Sequence, residues 1–331
     1  FVLPAIVIKG QGLPIRGYGV MLVLGIISGV ALAIRRSIKR GLNPDTILSL
    51  CFWMIIPGII GARVFYVIEY WSDFQRETAA ATLRSVINLT EGGLVVYGSF
   101  IGGTLGAIVF LLRNKISLLK TADVLAPCMM IGLAFGRIGC LLNGCCFGGT
   151  CDLPFPLSIT FPDGSIAHWH QITHGEVYLQ GLKFTDDMTE PPVIQHVEPG
   201  SSAEKNGLKV GQLIIRIDNI PVRDTAEAIH ILLESHPPKD EIAIWVNGNA
   251  TPYLIKTSAS HPRPVHPTQI YSSIGALIIL VLLLVSERFW LRRDGQVFAL
   301  LMTLYPIARF TIESIRTDEP GQFGTGFTIS Q

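Results

Sequence analysis

Three arginines lie within or directly after apolar stretches of this sequence, where a charged side chain is energetically costly. Arg137 lies inside the apolar run 126–143, and Arg63 and Arg309 each follow a shorter apolar run. A charged side chain inside a membrane-spanning segment marks a functional site, where it pairs with another polar or charged group. Because the planar guanidinium binds phosphate through two hydrogen bonds, the three side chains predict an anionic phosphate ligand at the level of the lipid.

Glu313 follows Arg309 by four residues. Residues at this spacing lie on one face of a helix, so the carboxylate can pair with the guanidinium and hold it in position. A purely structural ion pair inside the membrane is the alternative interpretation of the same spacing.

Four of the six cysteines follow closely on Arg137. They are Cys140, Cys145, Cys146 and Cys151, whereas Cys51 and Cys128 lie inside apolar runs. The spacing is not the paired Cys-x-x-Cys of a zinc site, so we expect no metal and no other cofactor. A location outside the cytoplasm would permit disulfides in this cluster, with a connectivity that the spacing leaves open.

The composition is that of a polytopic α-helical membrane protein. Of the 331 residues, 49% are hydrophobic and 15% are charged, and the mean hydropathy is +0.45. The formal net charge of +1 gives no indication of a nucleic-acid partner. Six apolar stretches reach the length needed to cross a bilayer. They are Tyr18–Ile34, Asp45–Val67, Leu94–Leu112, Asp123–Asn143, Gln269–Ser286 and Gln296–Ile315.

Positive charges in the connecting loops predict the orientation of these helices. Lysines and arginines cluster after the first, third and fifth stretches, which places those loops in the cytoplasm. The N-terminus, the loop 69–93 and the long segment 147–265 are then outside. A cleaved signal peptide is the alternative for the first stretch, but its stronger positive cluster, which includes Arg35 and Arg36, follows the run instead of preceding it.

Glycines recur at four-residue spacing within the apolar stretches. Gly98, Gly102 and Gly106 lie in the third stretch, and Gly25 and Gly29 lie in the first. A row of small residues lets two membrane helices approach closely, so we interpret most of these glycines as packing positions.

Between the fourth and fifth apolar stretches the sequence changes to polar residues with alternating apolar positions. The alternation is clearest in 193–197, 213–217 and 241–246, and 225–233 has a helical pattern. Alternation with period two is typical of half-buried strands. The segment therefore predicts an inserted α+β domain.

The inserted segment resembles a PDZ domain of the bacterial envelope type over about 177–256, most clearly from Val197 to Val222. The resemblance implies that Gly181, Leu182, Lys183 and Phe184 form the loop that binds a peptide carboxylate. In such domains the peptide adds a strand to the sheet edge. An envelope peptide is thus one expected partner, and a spacer without a peptide ligand is the alternative.

Several separated motifs of the apolar part resemble the prolipoprotein diacylglyceryl transferase family, in the order of that family. They are Gly92–Gly98, Gly136–Gly144, His266–Tyr271 and Arg309–Glu313, with Arg16–Gly19 and Gly61–Arg63 as further matches. The resemblance implies a membrane transferase domain in two parts, 1–150 and 263–331, separated by a periplasmic insertion at 151–262. It also implies a seventh helix that this sequence does not contain, because the chain stops at Gln331.

The family moves the diacylglyceryl group of phosphatidylglycerol to the thiol of the lipobox cysteine in a secreted precursor, and glycerol phosphate is released. The resemblance therefore implies an enzyme with phosphatidylglycerol and prolipoprotein signal peptides as partners. It also implies a multi-pass protein of the bacterial cytoplasmic (inner) membrane, with the insertion on the outer side.

The resemblance assigns functions to individual residues. Arg137 and Arg309 match the family's essential arginines and are expected to bind the phosphate, whose leaving group gains negative charge as the C–O bond breaks. Further residues are expected to bind or surround the substrate. These are Tyr18, Arg63, Asn143, Gly144, Tyr305 and Glu313.

The group that takes the proton of the acceptor thiol stays open. In the best-known bacterial members a histidine occupies the position of Tyr97, and a free tyrosine is a poor proton acceptor at neutral pH. Tyr97 can instead donate a hydrogen bond to the lipid. His266, at the start of the fifth stretch, is the alternative base, or a residue that bonds the backbone at a helix start. Cys140 departs from the family too, which has asparagine there.

Three other protein classes are alternatives to a transferase. A PDZ-bearing intramembrane protease is disfavoured because the sequence lacks His-Glu-x-x-His and Gly-x-Ser-x-Gly. A catalytically impaired lipid- or lipoprotein-binding scaffold, whose PDZ-like domain binds envelope peptides, stays open because Tyr97 replaces the usual histidine. A transporter is disfavoured because the hydropathy shows no paired repeats.

Overall fold

A computed structural model describes most of the chain. The described residues are 6–7, 14–15, 17–75, 78–88, 95–185, 187–234, 240–257, 261–291 and 293–316. Arg16, the motif residues 92–94 and the end of the chain from 317 lie outside the described residues.

Helices dominate the described part of the chain. In order they are α1 Gly17–Lys39, α2 Pro44–Glu69, α3 Trp71–Phe74, α4 Ala79–Ile87, α5 Val96–Arg113, α6 Leu118–Asn143, α7 Ile166–Thr173, α8 Ser202–Lys205, α9 Thr225–Glu234, α10 Thr268–Phe289 and α11 Gln296–Glu313. The strands are β1 Ile6–Val7, β2 Pro14–Ile15, β3 Leu182–Phe184, β4 Ile194–Val197, β5 Ile214–Ile217, β6 Ile220–Pro221, β7 Glu241–Val246 and β8 Tyr253–Lys256.

The predicted multi-pass membrane fold is confirmed in its coarse form. Within the described residues four helices, α1, α2, α6 and α10, are long and apolar enough to cross a bilayer. The other two predicted spans are also helical, as α5 and α11, each with 18 residues. Helix α5 contributes only a shorter apolar segment, and α11 is not among the four helices that meet the length and hydropathy needed.

The chain divides into two compact units. The first unit contains 1–21, 137–272 and 309–331, and the second contains 22–136 and 273–308. Helices α1, α6, α10 and α11 therefore each contribute residues to both units. The ends of α6 and α11 that carry Arg137 and Arg309 belong to the first unit.

In the second unit α2 and α5 pack along the predicted glycine row. A Cβ atom at Gly98 would overlap the backbone of Gly61, and one at Gly102 would overlap the carbonyl of Pro57. Only residues without a side chain allow this approach, so the interpretation of these glycines as packing positions is confirmed.

The same unit contains a core between α6, α10 and α11 and a cluster of charges at one end of it. The core includes Met130, Leu283 and Leu301. The buried carboxylate of Asp123 accepts hydrogen bonds from the backbone N–H groups of Gly295 and Phe298, both at 2.9 Å, so it caps the start of α11.

Arg36 and Arg40, which follow the first apolar stretch and were expected in a cytoplasmic loop, are part of this charge cluster. Arg36 Nη1 lies 2.5 Å from Glu287 Oε2, and Arg40 Nη2 lies 2.8 Å from Glu287 Oε1. Arg40 also lies 3.2 Å from the carboxylate of Asp294. Ion pairs thereby join the end of α1 to the end of α10.

In the first unit the inserted segment has its own core. Strands β6, β5, β7 and β8 form an antiparallel sheet in that order, and β3 pairs with β4. The core includes Leu179, Ile217, Leu232 and Ile244, all almost completely buried. The predicted strands at 193–197, 213–217 and 241–246 and the helix at 225–233 are confirmed as β4, β5, β7 and α9. The segment forms a small α+β arrangement, which does not by itself establish a PDZ domain.

Candidate active site

The loop after α6 is fixed in the first unit by the start of α10. Cys145 N–H donates to the Cys140 carbonyl at 3.1 Å, which closes the helix end. Thr268 Oγ1 donates to the Cys146 carbonyl at 2.6 Å, and Gln269 Nε2 donates to the Cys145 carbonyl at 2.7 Å. Two side chains of α10 thus determine the position of two adjacent cysteines.

Three chain segments next to this loop pair with one another. Gly148 N–H donates to the His266 carbonyl at 2.9 Å, and His266 N–H donates to the Gly149 carbonyl at 3.0 Å. Gly149 N–H donates in turn to the Ile315 carbonyl at 3.1 Å. The loop after α6, the entry to α10 and the exit from α11 are therefore joined by backbone hydrogen bonds.

The predicted ion pair on α11 is confirmed. Arg309 Nη2 lies 2.7 Å from Glu313 Oε2, and the Glu313 side chain is 0% exposed. A second cation that sequence reasoning missed, Arg316, lies 3.3 Å from the same oxygen with a side chain that is 3% exposed. The position of Arg316 three residues after Glu313 was the available signal, but it comes after the end of the helix and the apolar run.

Arg309 keeps an unused donor. Its Nη1 atom is buried, and no hydrogen bond to a described residue involves it. A buried donor without an acceptor is costly, and a cationic one more so. An anion that accepts this bond would therefore be favoured.

Arg137 lies near the end of α6, close to the start of α1. The Tyr18 ring packs on the same helix, since a Cβ atom at Gly139 would lie 3.0 Å from Tyr18 Cδ2. The Tyr18 hydroxyl is within electrostatic range of Arg137. Among the described residues we find no ion pair or hydrogen bond that occupies the guanidinium of Arg137, which is half-buried.

His266, Asn143 and Gly144 lie in the same unit. The Nδ1 atom of His266 is buried without a hydrogen bond to a described residue. Asn143 is exposed, and its Nδ2 lies 3.6 Å from Cys145 Sγ. Gly144 has a φ of +73°, where a Cβ atom would lie 3.6 Å from the ring of Phe161. Gly144 thus turns the chain out of α6 in a conformation that L residues rarely adopt.

Three thiols meet beside these residues. The Sγ atoms of Cys140, Cys145 and Cys146 all lie within 4.8 Å of one another. The six cysteines all belong to the described residues, and none of them forms a disulfide. The spacing in the sequence groups these three cysteines with Cys151 and predicts no metal. The structure leaves Cys151 out and brings the other three thiols to a separation at which they could hold a metal ion.

Three predicted site residues lie in the second unit. The guanidinium of Arg63 donates to the carbonyls of Val86 at 2.8 Å and Asn88 at 2.7 Å, at the end of α4. Tyr97 lies on α5 with 50% of its surface exposed, and Tyr305 packs against the core of α6, α10 and α11. Their assignment to substrate binding or catalysis stays a prediction.

The proposed peptide loop is a tight turn in the first unit. Gln180 and Gly181 both have positive φ, +54° and +78°. Leu179 and Leu182 exchange two backbone hydrogen bonds across it, at 3.2 and 2.8 Å. Leu182 and Phe184 are buried in β3, so the Leu182 N–H is already bonded inside the domain. The assignment of Gly181, Leu182, Lys183 and Phe184 to peptide binding stays a prediction.

The chain matches known proteins over nearly its whole length. A family model described as prolipoprotein diacylglyceryl transferase matches residues 5–331. A protein of Rhodopirellula baltica, named phosphatidylglycerol–prolipoprotein diacylglyceryl transferase, is 37% identical over 97% of this chain and 69% of its own length.

Other relatives bear the same name. One from Clostridium perfringens, numbered 2, is 36% identical over 47% of this chain and 58% of its own length. One from Lysinibacillus sphaericus is 25% identical over 92% of this chain and 78% of its own length. The predicted function and the predicted transferase class are confirmed at the level of these names. The chain belongs to the prolipoprotein diacylglyceryl transferase family.

Proposed function

We propose that this chain transfers the diacylglyceryl group of phosphatidylglycerol to the lipobox cysteine thiol of a prolipoprotein and releases glycerol phosphate. Family membership and the names of the relatives support the reaction. The observation that carries the proposal is the guanidinium of Arg309, which is bonded to Glu313 on one nitrogen and has a buried free donor on another.

Arg309 suits the phosphate of the lipid for a physical reason. Glu313 fixes the guanidinium before substrate arrives, so little ordering remains to be done when the anion binds. As the glyceryl C–O bond breaks, negative charge grows on the phosphate oxygens. A preorganised cation in a water-poor site stabilises that charge more than it stabilises the ground state.

Arg137 is the second proposed phosphate ligand. No described residue neutralises its charge, whereas the charge of Arg309 is shared with Glu313. A phosphodiester carries one negative charge, so the less compensated arginine contributes the larger attraction. Tyr18, within electrostatic range of Arg137, is proposed to bind the lipid headgroup beside it.

His266 is the better-placed candidate for the proton of the acceptor thiol. It belongs to the same compact unit as Arg137 and Arg309, and its buried Nδ1 has no bond to a described residue. For Tyr97 we propose a hydrogen bond to the lipid. Arg63 is proposed to act indirectly, because its guanidinium is bonded to the carbonyls that end α4.

The transferase proposal is tested in liposomes that contain phosphatidylglycerol, with a lipobox peptide and mass spectrometry of the thioether product. Wild type forms the thioether, and Arg309→Lys lowers the rate about 10²–10³-fold, because a point charge cannot replace the planar fork. Arg263→Lys is the matched control, since Arg263 is an exposed arginine of the same unit. Absence of product with wild type, under conditions where the Rhodopirellula relative works, would reject the transferase and favour the scaffold.

The domain organisation and location extend this proposal. Parts 1–150 and 263–331 form the transferase domain of a bacterial inner-membrane protein, and 151–262 lies on its outer side. Within the insertion, 177–256 is a PDZ-like module. An envelope peptide is proposed to add a strand beside β3, which pairs with β4 and whose Leu182 is also bonded to Leu179. Deleting 177–256 should abolish capture of such peptides, and unchanged capture would leave a passive spacer.

A further inference from the structure

The cluster of Cys140, Cys145 and Cys146 has the features of a metal site. The three Sγ atoms lie within 4.8 Å of one another. All three residues are half-buried. In a tetrahedral zinc site with Zn–S bonds of about 2.3 Å, two sulfurs are about 3.8 Å apart. To reach this spacing from the observed one, each sulfur atom has to move by less than about 1 Å. Rotation of the cysteine side chains is sufficient for such a movement.

The loop that carries two of these thiols is held in an unusual conformation. Cys146 has a φ of +59°, a left-handed value that residues other than glycine rarely adopt. Such backbone persists where the surroundings determine it, and it concentrates at ligand clamps and active sites. Here the surroundings are Thr268 and Gln269, which bond the carbonyls of Cys146 and Cys145. These contacts orient the ligand residues in the way that outer-shell hydrogen bonds orient ligands in known metal sites.

The fourth nearby cysteine is not part of the cluster. Cys151 is buried, and its Sγ lies 3.8 Å from the carbonyl of Leu157. No fourth Cys, His, Asp or Glu among the described residues belongs to the cluster. Three protein ligands are the pattern of a catalytic zinc site, whose remaining position takes water or substrate.

We propose that Cys140, Cys145 and Cys146 bind Zn²⁺ with one open position, and that the acceptor thiol of the lipobox peptide fills this position as a thiolate. The second part rests on the proposed transferase function. On binding, the substrate S–H proton passes to His266, the base proposed above, a Zn–S bond forms and the zinc-bound water leaves. In the transfer, the sulfur lone pair forms the S–C bond, the C–O electrons go to the phosphate oxygen, and the Zn–S bond breaks.

The first experiment measures the metal alone. Reduced full-length protein in nanodiscs is stripped with a chelator and titrated with Co²⁺, whose thiolate charge-transfer band reports sulfur ligands, and then with Zn²⁺. Wild type should bind one equivalent of each. Loss of an outer-shell hydrogen bond typically lowers metal affinity about 10–100-fold, and we expect Thr268→Val to fall in this range. Cys145→Ser removes a ligand, so its metal affinity should fall further.

Matched controls use cysteines outside the cluster. Cys151→Ser and Cys51→Ser should bind like wild type, because neither thiol belongs to the group. Failure of reduced wild type to take up zinc overturns the site. Equal binding by wild type and Cys145→Ser overturns it as well, since the metal would then be held elsewhere.

The second experiment tests the open position. Adding a lipobox peptide to the Co²⁺-loaded protein should strengthen the thiolate charge-transfer band, and the same peptide with serine in place of cysteine should not. An unchanged band with the cysteine peptide overturns the assignment of the fourth ligand. This measurement requires neither phosphatidylglycerol nor turnover. If the transferase function were wrong and the metal site right, the peptide would still bind to the cobalt but would yield no thioether.

Discussion

Glu313 forms an ion pair with Arg309, one helical turn earlier on α11, with 2.7 Å between Glu313 Oε2 and Arg309 Nη2. The Glu313 side chain is fully buried. The same carboxylate also contacts Arg316 at 3.3 Å. One buried acid therefore contacts a half-buried cation, Arg309, and a buried one, Arg316, at the exit of α11. The carboxylate orients Arg309, whose buried Nη1 forms no hydrogen bond to a described residue, and this unused donor suits an anionic ligand.

Removing that acid's charge should damage stability and activity together. Glu313→Gln removes the carboxylate that contacts both Arg309 and Arg316, and breaking a buried pair costs about 3–5 kcal/mol. We expect a lower unfolding temperature and a loss of thioether formation. Glu190→Gln, at an exposed position of the same unit, should change neither. A stable Glu313→Gln variant with wild-type turnover would contradict the orienting function of the carboxylate.

Arg137→Lys keeps the charge and removes the planar fork. If the guanidinium binds the phosphodiester through two hydrogen bonds, the rate of transfer should fall about 10²–10³-fold without loss of stability. Turnover in phosphatidylglycerol liposomes measures this, and Arg35→Lys, on the exposed part of α1, is the control. A rate near that of wild type would remove Arg137 from phosphate binding.

The candidates for the base can be separated by two conservative changes. His266→Gln should lower turnover about 10²–10⁴-fold, the usual contribution of general acid–base catalysis. Tyr97→Phe, which removes only a hydroxyl, should lower it less than about tenfold, as expected for one hydrogen bond to the lipid. Single-turnover rates of thioether formation give both values. A large loss in Tyr97→Phe with a small one in His266→Gln would reverse the assignment.

The contact between α2 and α5 should tolerate no added bulk. Gly102→Val would place a side chain against the carbonyl of Pro57, and overpacking of this kind costs about 1–3 kcal/mol. Thermal unfolding in detergent should show the loss. Gly275→Ala, in α10 with open space around it, should be neutral or stabilising by up to about 1 kcal/mol. Equal stability of the two variants would argue against the close α2–α5 approach.

Asp123 should matter for the start of α11. Asp123→Ala removes the acceptor of two backbone N–H groups, a change that costs about 0.5–2 kcal/mol at helix caps. Asp123→Asn keeps one acceptor oxygen and should lose less. Hydrogen exchange at Gly295 and Phe298 checks this locally. Protection that is unchanged in Asp123→Ala would show that the cap contributes nothing.

Local patterns were sufficient for most of the fold. Apolar runs predicted the helices, period-two alternation predicted β4, β5 and β7, and the four-residue spacing predicted the pair of Arg309 and Glu313. Each of these signals lies within one stretch of chain. The glycine row on α5 was equally readable, because small residues at this spacing form a flat strip along one face of a helix, against which a second helix can pack.

Contacts between distant stretches were not predictable in the same way. Arg63 has the pattern of a membrane arginine that binds an anion, yet backbone carbonyls at the end of α4 accept its hydrogen bonds. Arg36 has the pattern of a loop charge, yet it pairs with Glu287, 251 residues later. The thiol cluster depends on a turn at Gly144 and on bonds from α10. No local spacing encodes such bonds, because they arise only when the helices are placed.

The three-segment pairing at 148–149, 266 and 315 has a consequence for the local motion of the first unit. Gly148 N–H donates a hydrogen bond to the His266 carbonyl at the entry to α10, and Gly149 N–H donates one to the Ile315 carbonyl at the exit from α11. Those two helix ends cannot separate without breaking bonds in the loop after α6. We therefore expect slow amide exchange at Gly148, Gly149 and His266, and we expect the loop after α6, the entry to α10 and the exit from α11 to fluctuate as one body.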